Sequence, residues 1–367
     1  LKILFINQTF YPDVVATAQQ LTCMAVDLAA QGHEVTVLAA RRGYAFPHPL
    51  YKKEEIYRGV RVARVCGIAL GRKFKMSRLL DALVVNAAFW WKLFWMGRFD
   101  RVVALTSPPL VAWSALGFAK RKKSEFVYWI MDLNPDQAIA AGWLKKNSLA
   151  AGLLTKCLKS ILRHSDKIVA LDRFMKERIL SYGADVKKIE IVPPSVDCED
   201  IEPVDHVQNP FRKAHGLEGK FVVMYSGNHG LAHPLDTVLE AARALKEEAS
   251  IVFVFVGGGE RVKEVSDFKK KYQLQNIFQL PYQERSNLKY SLSAADLHVV
   301  TMDEAFVGAL HPCKIYAILK IGRPFVFIGP AQSPIGDLTA QNPKGHRVDH
   351  GDFKRLVEII QQVKNKI

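Results

Sequence analysis

The chain has 367 residues, 49% of them hydrophobic and 24% charged, and its 51 Lys and Arg against 36 Asp and Glu give a formal charge of +15. This composition excludes disordered, collagen-like and low-complexity proteins, and the length exceeds one ordinary hydrophobic core, so two domains of similar size are expected. The positive balance calls for an anionic partner: nucleic acid, a membrane surface or a phosphorylated small molecule.

The aromatic residues do not interleave with Lys and Arg as a base-stacking surface requires, and no zinc-finger or RNA-recognition signature is present, which argues against nucleic acid. Cys23, Cys66, Cys157, Cys198 and Cys313 are scattered and form no Cys-x-x-Cys pair. That pattern suits a reducing compartment and argues against structural zinc. Residues 2–7 already read as a core strand with no basic and apolar leader before them, so a cytoplasmic protein is expected.

Taken in order, residues 2–7 form a strand, 17–31 a helix ended by Gly32, and 34–39 a second strand. This β-loop-α-β unit opens most doubly wound sheets, whose ligands bind at the carboxyl ends of the strands. The loop 8–16 has Val15, Ala16 and Thr17 where a phosphate-cradling turn usually has glycines, which leaves Ala16 as a candidate contact. Further strands are expected at 60–65, 101–105, 126–130, 167–171 and 189–192, and their alternation with helices implies a parallel sheet. Pro193-Pro194 and the acidic stretch Asp197, Glu199, Asp200, Glu202 and Asp205 then read as the beginning of a linker. Strands at 222–225, 251–256, 277–279, 297–300 and 324–328 repeat the arrangement. The expected organisation is a first domain over 1–196, a linker over 197–219, a second domain over 220–350, and a basic amphipathic helix over 351–367 crossing between them.

The second half opens on an apolar strand that stops at Ser226-Gly227-Asn228-His229-Gly230, with a helical pattern starting near Pro234. A strand, a glycine loop and a helix can hold a phosphate, because the first N–H groups of a helix have no intrahelical partner and lie at the positive end of its dipole. Gly257-Gly258-Gly259 and Pro281-Tyr282 end the next two strands, so several loops converge on one sheet edge. Two such domains with facing carboxyl edges would leave a ligand cleft between them.

Residues 78–98 form an aromatic and basic stretch. Its length approaches a membrane span, but Asp81, Asn86 and Lys92 are costly in hydrocarbon. Trp90, Trp91, Phe94 and Trp95 beside Lys92 and Arg98 suit either a core helix or a helix lying at an anionic membrane surface, with the basic 156–163 segment adding attraction.

The 221–230 segment joins Phe255-Val-Gly-Gly-Gly-Glu-Arg, Leu280-Pro-Tyr-Gln, Ala294-Ala-Asp-Leu-His-Val and Pro312-Cys-Lys-Ile-Tyr-Ala-Ile-Leu-Lys-Ile-Gly-Arg-Pro. The first half adds Trp129-Ile-Met-Asp-Leu-Asn-Pro-Asp-Gln-Ala, His164-Ser-Asp-Lys-Ile-Val-Ala-Leu-Asp-Arg-Phe-Met and Ile191-Val-Pro-Pro-Ser-Val-Asp. In order and spacing, and over essentially the whole chain, these resemble the retaining family-four glycosyltransferases. The nearest branch is that of bacterial transferases adding sugars such as N-acetyl-L-fucosamine in O-antigen or capsule assembly. The resemblance implies an α/β enzyme of the GT-B type, two doubly wound Rossmann-like domains facing across a cleft. A nucleotide sugar, commonly UDP-linked, would bind the second domain, and a glycan or polyprenyl-diphosphate-linked saccharide the first.

A leaving diphosphate can be stabilised by aimed donors with no obligatory metal or other cofactor. The candidates are Ser226, Gly227, Asn228, His229, the loop Gly308, Ala309 and Leu310 to His311, and the ammonium of Lys314. The base would lie on the main chain near Tyr282, with Gly257 and Gly258 keeping that floor open. The chain departs from the family's pattern where Ala309 and Ala317 replace two glutamates eight positions apart, so Glu304 is the candidate for the ribose. The usual arginine and lysine after the second domain's first strand are also missing, with Asn228, His229 and His233 nearby instead. In the first domain Asp132 follows a strand directly and is the candidate base toward an acceptor hydroxyl, its alternative role being the cap of a helix over 134–142. Asn134, Asp136 and Arg173 are candidate acceptor or phosphate contacts. Two rival functions remain open: a GT-B nucleotide-sugar epimerase, and a non-catalytic nucleotide-sugar-binding scaffold subunit.

Overall fold

The computed structural model describes residues 1–13, 15–43, 50–66, 75–195 and 201–366, and for 75–80 the backbone alone. The chain divides into two compact units, one of Leu1–Ser195 with Gly308–His311, the other of Val196–Val307 with Pro312–Ile367.

The first unit runs β1 (Lys2–Ile6), α1 (Ala16–Ala30), β2 (Glu34–Ala40), β3 (Glu54–Tyr57), β4 (Val60–Val65), α2 (Lys75–Trp95) and β5 (Arg101–Ala104). It continues through α3 (Val111–Lys122), β6 (Glu125–Trp129), α4 (Asp136–Ala140), α5 (Leu149–His164), β7 (Lys167–Ala170), α6 (Arg173–Ser181) and β8 (Ile189–Ile191). Its sheet has the order β3-β4-β2-β1-β5-β6-β7-β8, with β3 antiparallel to β4 and every other neighbour parallel. β1 buries Ile3, Leu4, Phe5 and Ile6 in succession, as a strand covered on both faces must. The edge strand β3, Glu-Glu-Ile-Tyr, buries little and is too polar for an apolar-run criterion to find. Right-handed crossovers place α2, α3 and α5 on the face opposite α1, and α3 packs on both α2 and α5. At the end of the unit the Gln20 amide clamps Ser195, donating to its carbonyl at 2.7 Å and accepting from its N–H at 2.9 Å. Cys66 and Cys157 are free thiols whereas Cys23 is disulfide-bonded, a pairing that the scatter of the cysteines did not foretell.

The second unit comprises α7 (Pro210–Ala214), β9 (Phe221–Asn228), α8 (Asp236–Ala244), β10 (Ile251–Gly258), α9 (Val262–Tyr272), β11 (Ile277–Leu280) and α10 (Leu288–Ser293). β12 (Leu297–Thr301), α11 (Lys314–Ile321), β13 (Phe325–Ile328), α12 (Pro334–Gln341), β14 (Gly345–Val348) and α13 (Phe353–Lys364) complete it. Its six strands are all parallel, in the order β11-β10-β9-β12-β13-β14. The expected linker contains α7, capped by the Asn209 side chain, which accepts from the Phe211 N–H at 2.9 Å. The closing helix, expected to cross between domains, packs inside this unit against α8. It buries Leu356, Ile359, Ile360 and Val363, one stripe at helical spacing, in a core shared with Val238, Leu239 and Ala242. Each such aliphatic contributes about 1.5–3 kcal/mol relative to exposure, which fixes the helix to its own unit.

Candidate active site

In the second unit the chain does not leave its strand at Ser226. β9 continues to Asn228 and β10 to Gly258, with Gly257 in register with Gly227. The two glycines hold φ of 131° and 134°, and a Cβ on Gly257 would stand 2.0 Å from the Gly227 carbonyl oxygen. Only glycine fits there. The His229 N–H, expected as a free donor, donates to the Gly258 carbonyl at 2.8 Å. The helix expected near Pro234 begins at Asp236.

The cation at this edge comes from elsewhere in the unit. A Cβ on Gly227 would meet Lys314 Cε at 3.2 Å and Nζ at 3.4 Å, so the lysine occupies the space that the missing side chain leaves. Lys314 opens α11, its Nζ donates to the Tyr225 hydroxyl at 2.6 Å, and it lies 4.0 Å from the centre of that ring. The Tyr225 hydroxyl in turn donates to the Asn228 carbonyl at 2.6 Å. Burial pushes the ammonium down to about 7, which leaves this base between its two protonation states near neutrality. An oxyanion beside it would favour the charged form. Tyr225 was missed by sequence reasoning, being one residue inside an apolar strand with nothing to separate it from the core.

His229 and His233 are both buried. Burial first and Lys314 second push His229 down to about 4 and His233 well below its usual value, so both are neutral at pH 7. His233 Nδ1 donates to the Thr301 carbonyl at 2.6 Å, which makes it a core contact. The floor expected over Gly257 and Gly258 is filled: the Gly227 carbonyl closes on the first glycine, and Tyr282 Cε2 would lie 3.0 Å from a Cβ on the second. The half-exposed Tyr282 donates its hydroxyl to the Gly258 carbonyl at 3.1 Å. These glycines therefore serve close packing of the site's walls. Ser226 is half-buried beside Gly227, Asn228 is exposed, and Glu304 is exposed on a 3₁₀ turn over Glu304–Phe306.

Gly308, Ala309 and Leu310, expected with the nucleotide-binding residues, group with the first unit. The Leu133 N–H donates to the Ala309 carbonyl at 2.7 Å, Leu310 forms an isolated bridge with Asp132, and a Cβ on Gly308 would stand 2.7 Å from the Phe174 carbonyl. Next to them His311 Nδ1 pairs with Asp172 Oδ2 at 2.8 Å, while Asp172 Oδ1 caps α6 by accepting from the Met175 N–H at 2.8 Å. The capping aspartate before α6 was legible as a helix start, but its histidine partner 139 residues away was not.

Asp132 follows β6, and its carboxylate accepts from the Gln137 amide at 3.1 Å while its N–H donates to Thr106 Oγ1 at 3.3 Å. It is not a helix cap, since Pro135 holds the cap position of α4 and no side chain bonds there. Burial pushes its carboxyl up to about 6. Asp136 is held by Arg178 at 2.9 Å and by the Tyr182 hydroxyl at 2.6 Å, which ties α4 to α6. Arg173 pairs with Glu177 at 3.9 Å and lies 4.0 Å from the Phe174 ring centre. Asn134 is half-buried beside Asp132, and Ala16 is exposed as the first residue of α1. Among the described residues no three His, Cys, Asp or Glu side chains converge as ligands to a metal.

With these features in place, the comparisons decide the family. The profile described as Glycosyltransferase Family 4 matches residues 18–200, and that of Glycosyl transferases group 1 matches residues 207–309. The chain belongs to the family-four glycosyltransferases. It is similar to WbjE of Pseudomonas aeruginosa, named as a glycosyltransferase, at 25% identity over 275 residues, covering 72% of this chain and 66% of WbjE. It is similar also to WcaI of Escherichia coli (strain K12), named for glycosyl transfer in colanic acid biosynthesis, at 25% identity over 94% of this chain and 87% of that one. Among solved structures, sucrose-phosphate synthase of Thermosynechococcus elongatus superposes with TM-score 0.76 at 14% identity, over 99% of this chain and 89% of that one. WaaG, a glycosyltransferase involved in lipopolysaccharide biosynthesis, gives 0.70 at 15% identity over 99% and 90%. Anabaena HepE in complex with UDP-glucose gives 0.68 at 14% identity over 100% and 90%. These likenesses fix the fold of this glycosyltransferase as GT-B, with two Rossmann-like α/β domains.

Proposed function

We propose that this glycosyltransferase moves a sugar, with retention, from a UDP-sugar to a glycan or polyprenyl-diphosphate-linked saccharide in bacterial surface polysaccharide synthesis. The observation that carries the donor half is Lys314, a half-buried base pinned by Tyr225 against Gly227 with its ammonium pushed down to about 7. A diphosphate gains most from a cation in a preorganised, poorly solvated place, because the leaving oxygens acquire charge as the glycosidic bond breaks. Lys314 takes over the work of the missing loop arginine and lysine, so the reaction needs no obligatory metal. UDP as the nucleotide is supported by HepE, a structural neighbour solved with UDP-glucose. Polysaccharide synthesis is supported by the names of WcaI, for colanic acid, and WaaG, for lipopolysaccharide.

Asp132 is assigned to the acceptor hydroxyl. A carboxyl held near 6 is ionised at pH 7 yet basic enough to share a proton, and its bond from Gln137 fixes its orientation. The test is a thermal-shift screen of UDP, GDP and their sugars, followed by transfer assays with the donor that stabilises. Stabilisation by UDP compounds that Lys314→Met abolishes is expected. No shift with any nucleotide sugar would overturn the reading, and donor binding without transfer or hydrolysis would leave a non-catalytic binding subunit.

A further inference from the structure

We infer that Gln8 is a specificity-determining residue for the acceptor: with Asp132 it holds two hydroxyls of one and the same sugar ring. The inference rests on the acceptor role proposed above for Asp132. Three loops leave the carboxyl edge of the first sheet side by side, after β1, β5 and β6, which are consecutive in the strand order. Each sets one half-buried polar residue between two buried ones. Gln8 stands between Asn7 and Thr9, Ser107 between Thr106 and Pro108, and Asp132 between Met131 and Leu133. These three are the accessible polar groups at their strand ends, on the edge where a sheet of this kind takes its ligand.

Their positions are fixed by one another. The Gln8 N–H donates to the Ser107 carbonyl at 2.6 Å, and its carbonyl accepts from the Ala40 N–H at 2.9 Å, so its main chain is clamped on both sides of β1. Gln8 Oε1 accepts from the Ser107 hydroxyl at 3.3 Å, and the adjacent Thr106 accepts the Asp132 N–H on Oγ1 at 3.3 Å. Gln8, Ser107, Thr106 and Asp132 thus make one continuous rim across the end of β5. The loop behind Gln8 is equally fixed, since Asn7 Nδ2 donates to the Thr9 carbonyl at 2.8 Å and Phe10 is buried.

What the rim leaves unused decides its ligand. The main chain and Oε1 carry the structural bonds of Gln8, while the amide nitrogen, with two N–H groups, meets no acceptor among the described residues. Asp132 Oδ1 is taken by Gln137, and Oδ2 accepts from none of those residues. One rim therefore offers an open donor and an open acceptor. Neighbouring strands lie about 4.8 Å apart, which sets the two groups about 5–10 Å apart across the end of β5. A single sugar ring fills that span with a hydrogen bond of about 2.8 Å at each side. Hydroxyls match both groups, donating to the carboxylate and accepting from the amide. A carboxylate or phosphate would suit the amide but be repelled by Asp132. A half-buried donor left unpaired costs free energy that a matching hydroxyl recovers, and a site built in this way rejects a sugar that lacks the hydroxyl.

The test is acceptor kinetics of the full chain with octyl glucoside, galactoside, mannoside, fucoside and N-acetylglucosaminide, followed by the monodeoxy forms of the one used best. Gln8→Met keeps the length of the side chain and removes its hydrogen bonds, and it should raise acceptor KM about tenfold with kcat changed little. It should keep the parent's circular dichroism and its rise in melting temperature with UDP, whose candidate contacts Tyr225 and Lys314 belong to the second unit. One monodeoxy acceptor should lose about the same factor with the parent and nothing further with Gln8→Met. Ser107→Ala, which only releases the amide from its anchor, should raise acceptor KM about threefold. An acceptor KM unchanged in Gln8→Met would overturn the inference, as would deoxygenation costs equal in parent and variant at every position. A parent that UDP compounds fail to stabilise is a separate outcome and strikes the donor reading.

Discussion

Asp132 in the first unit and Lys314 in the second form a contrasting pair. One is an acid behind β6 and the other a base beside the end of β9, and burial moves both toward neutrality, the carboxyl up to about 6 and the ammonium down to about 7. Their holders are neutral: Asp132 accepts from the Gln137 amide, and Lys314 donates to the Tyr225 hydroxyl. Contrast Arg212 and Asp296, a buried pair at 3.3 Å that cancel each other and serve the fold. A buried ionisable group held by neutral dipoles keeps its charge available to a ligand, whereas an internal ion pair does not.

The pair can be broken one member at a time. Asp132→Asn is expected to lower turnover by about 10²- to 10⁴-fold and to remove an acid limb of the rate profile that lies near pH 6 in the parent. Its stability should move the opposite way. A carboxyl whose folded value is raised from 3.8 to about 6 costs nothing while protonated, and destabilises the fold progressively as pH rises through that window. The asparagine variant should therefore be more stable at neutral pH by roughly 1–3 kcal/mol, allowing for partial solvation, with the gain vanishing near about pH 4 in denaturant unfolding. Full activity in this variant would remove Asp132 from the chemistry.

Lys314→Met is expected to cost about 10²- to 10³-fold in transfer and to weaken UDP binding measured by calorimetry. Because the folded value lies near 7, below the ordinary 10.5, the empty site is largely neutral above pH 7, and binding a diphosphate must draw in a proton. UDP-sugar affinity should fall as pH rises above that value, and heats in buffers of different ionisation enthalpy should reveal proton uptake that the methionine variant lacks. A pH-independent affinity would sink the role. Tyr225→Phe removes the hydroxyl that accepts from Lys314 and donates to the Asn228 carbonyl. A loss of about 1–2 kcal/mol, roughly tenfold in UDP affinity with turnover changed less, is expected. The smallest effect is a null one: transfer should survive EDTA, and an activity restored only by a divalent cation would show that Lys314 does not suffice.

Much of the fold was legible because parallel strands buried on both faces leave unbroken apolar runs. β1, β9, β10 and β13 announce themselves in this way, whereas β3 and β14 do not, since edge strands carry polar residues. The site was legible in parts. Gly227 and Gly257 were candidates because strand ends with glycine converge on one sheet edge, and Lys314 because it lies in a motif that resembles the family's. That Lys314 fills the vacant side-chain space of Gly227 could not be read, since 87 positions of sequence separate them and only the folded unit brings them together.

By itself the sequence determined the alternation of strand and helix, for which local periodicity is enough because it depends on neighbours within one element. Its length implied two domains, and the family and the missing loop cations came from motifs that resemble that family along the whole chain. The tertiary structure alone decided that β9 and β10 run on through their glycines, that Gly308, Ala309 and Leu310 group with Asp132, and that His311 meets Asp172. It also decided which stripe of α2 is buried and which faces solvent. Those outcomes depend on burial and on contacts between residues far apart in the chain. The proton affinities of Asp132 and Lys314 follow from the same burial, and no single segment of sequence contains it.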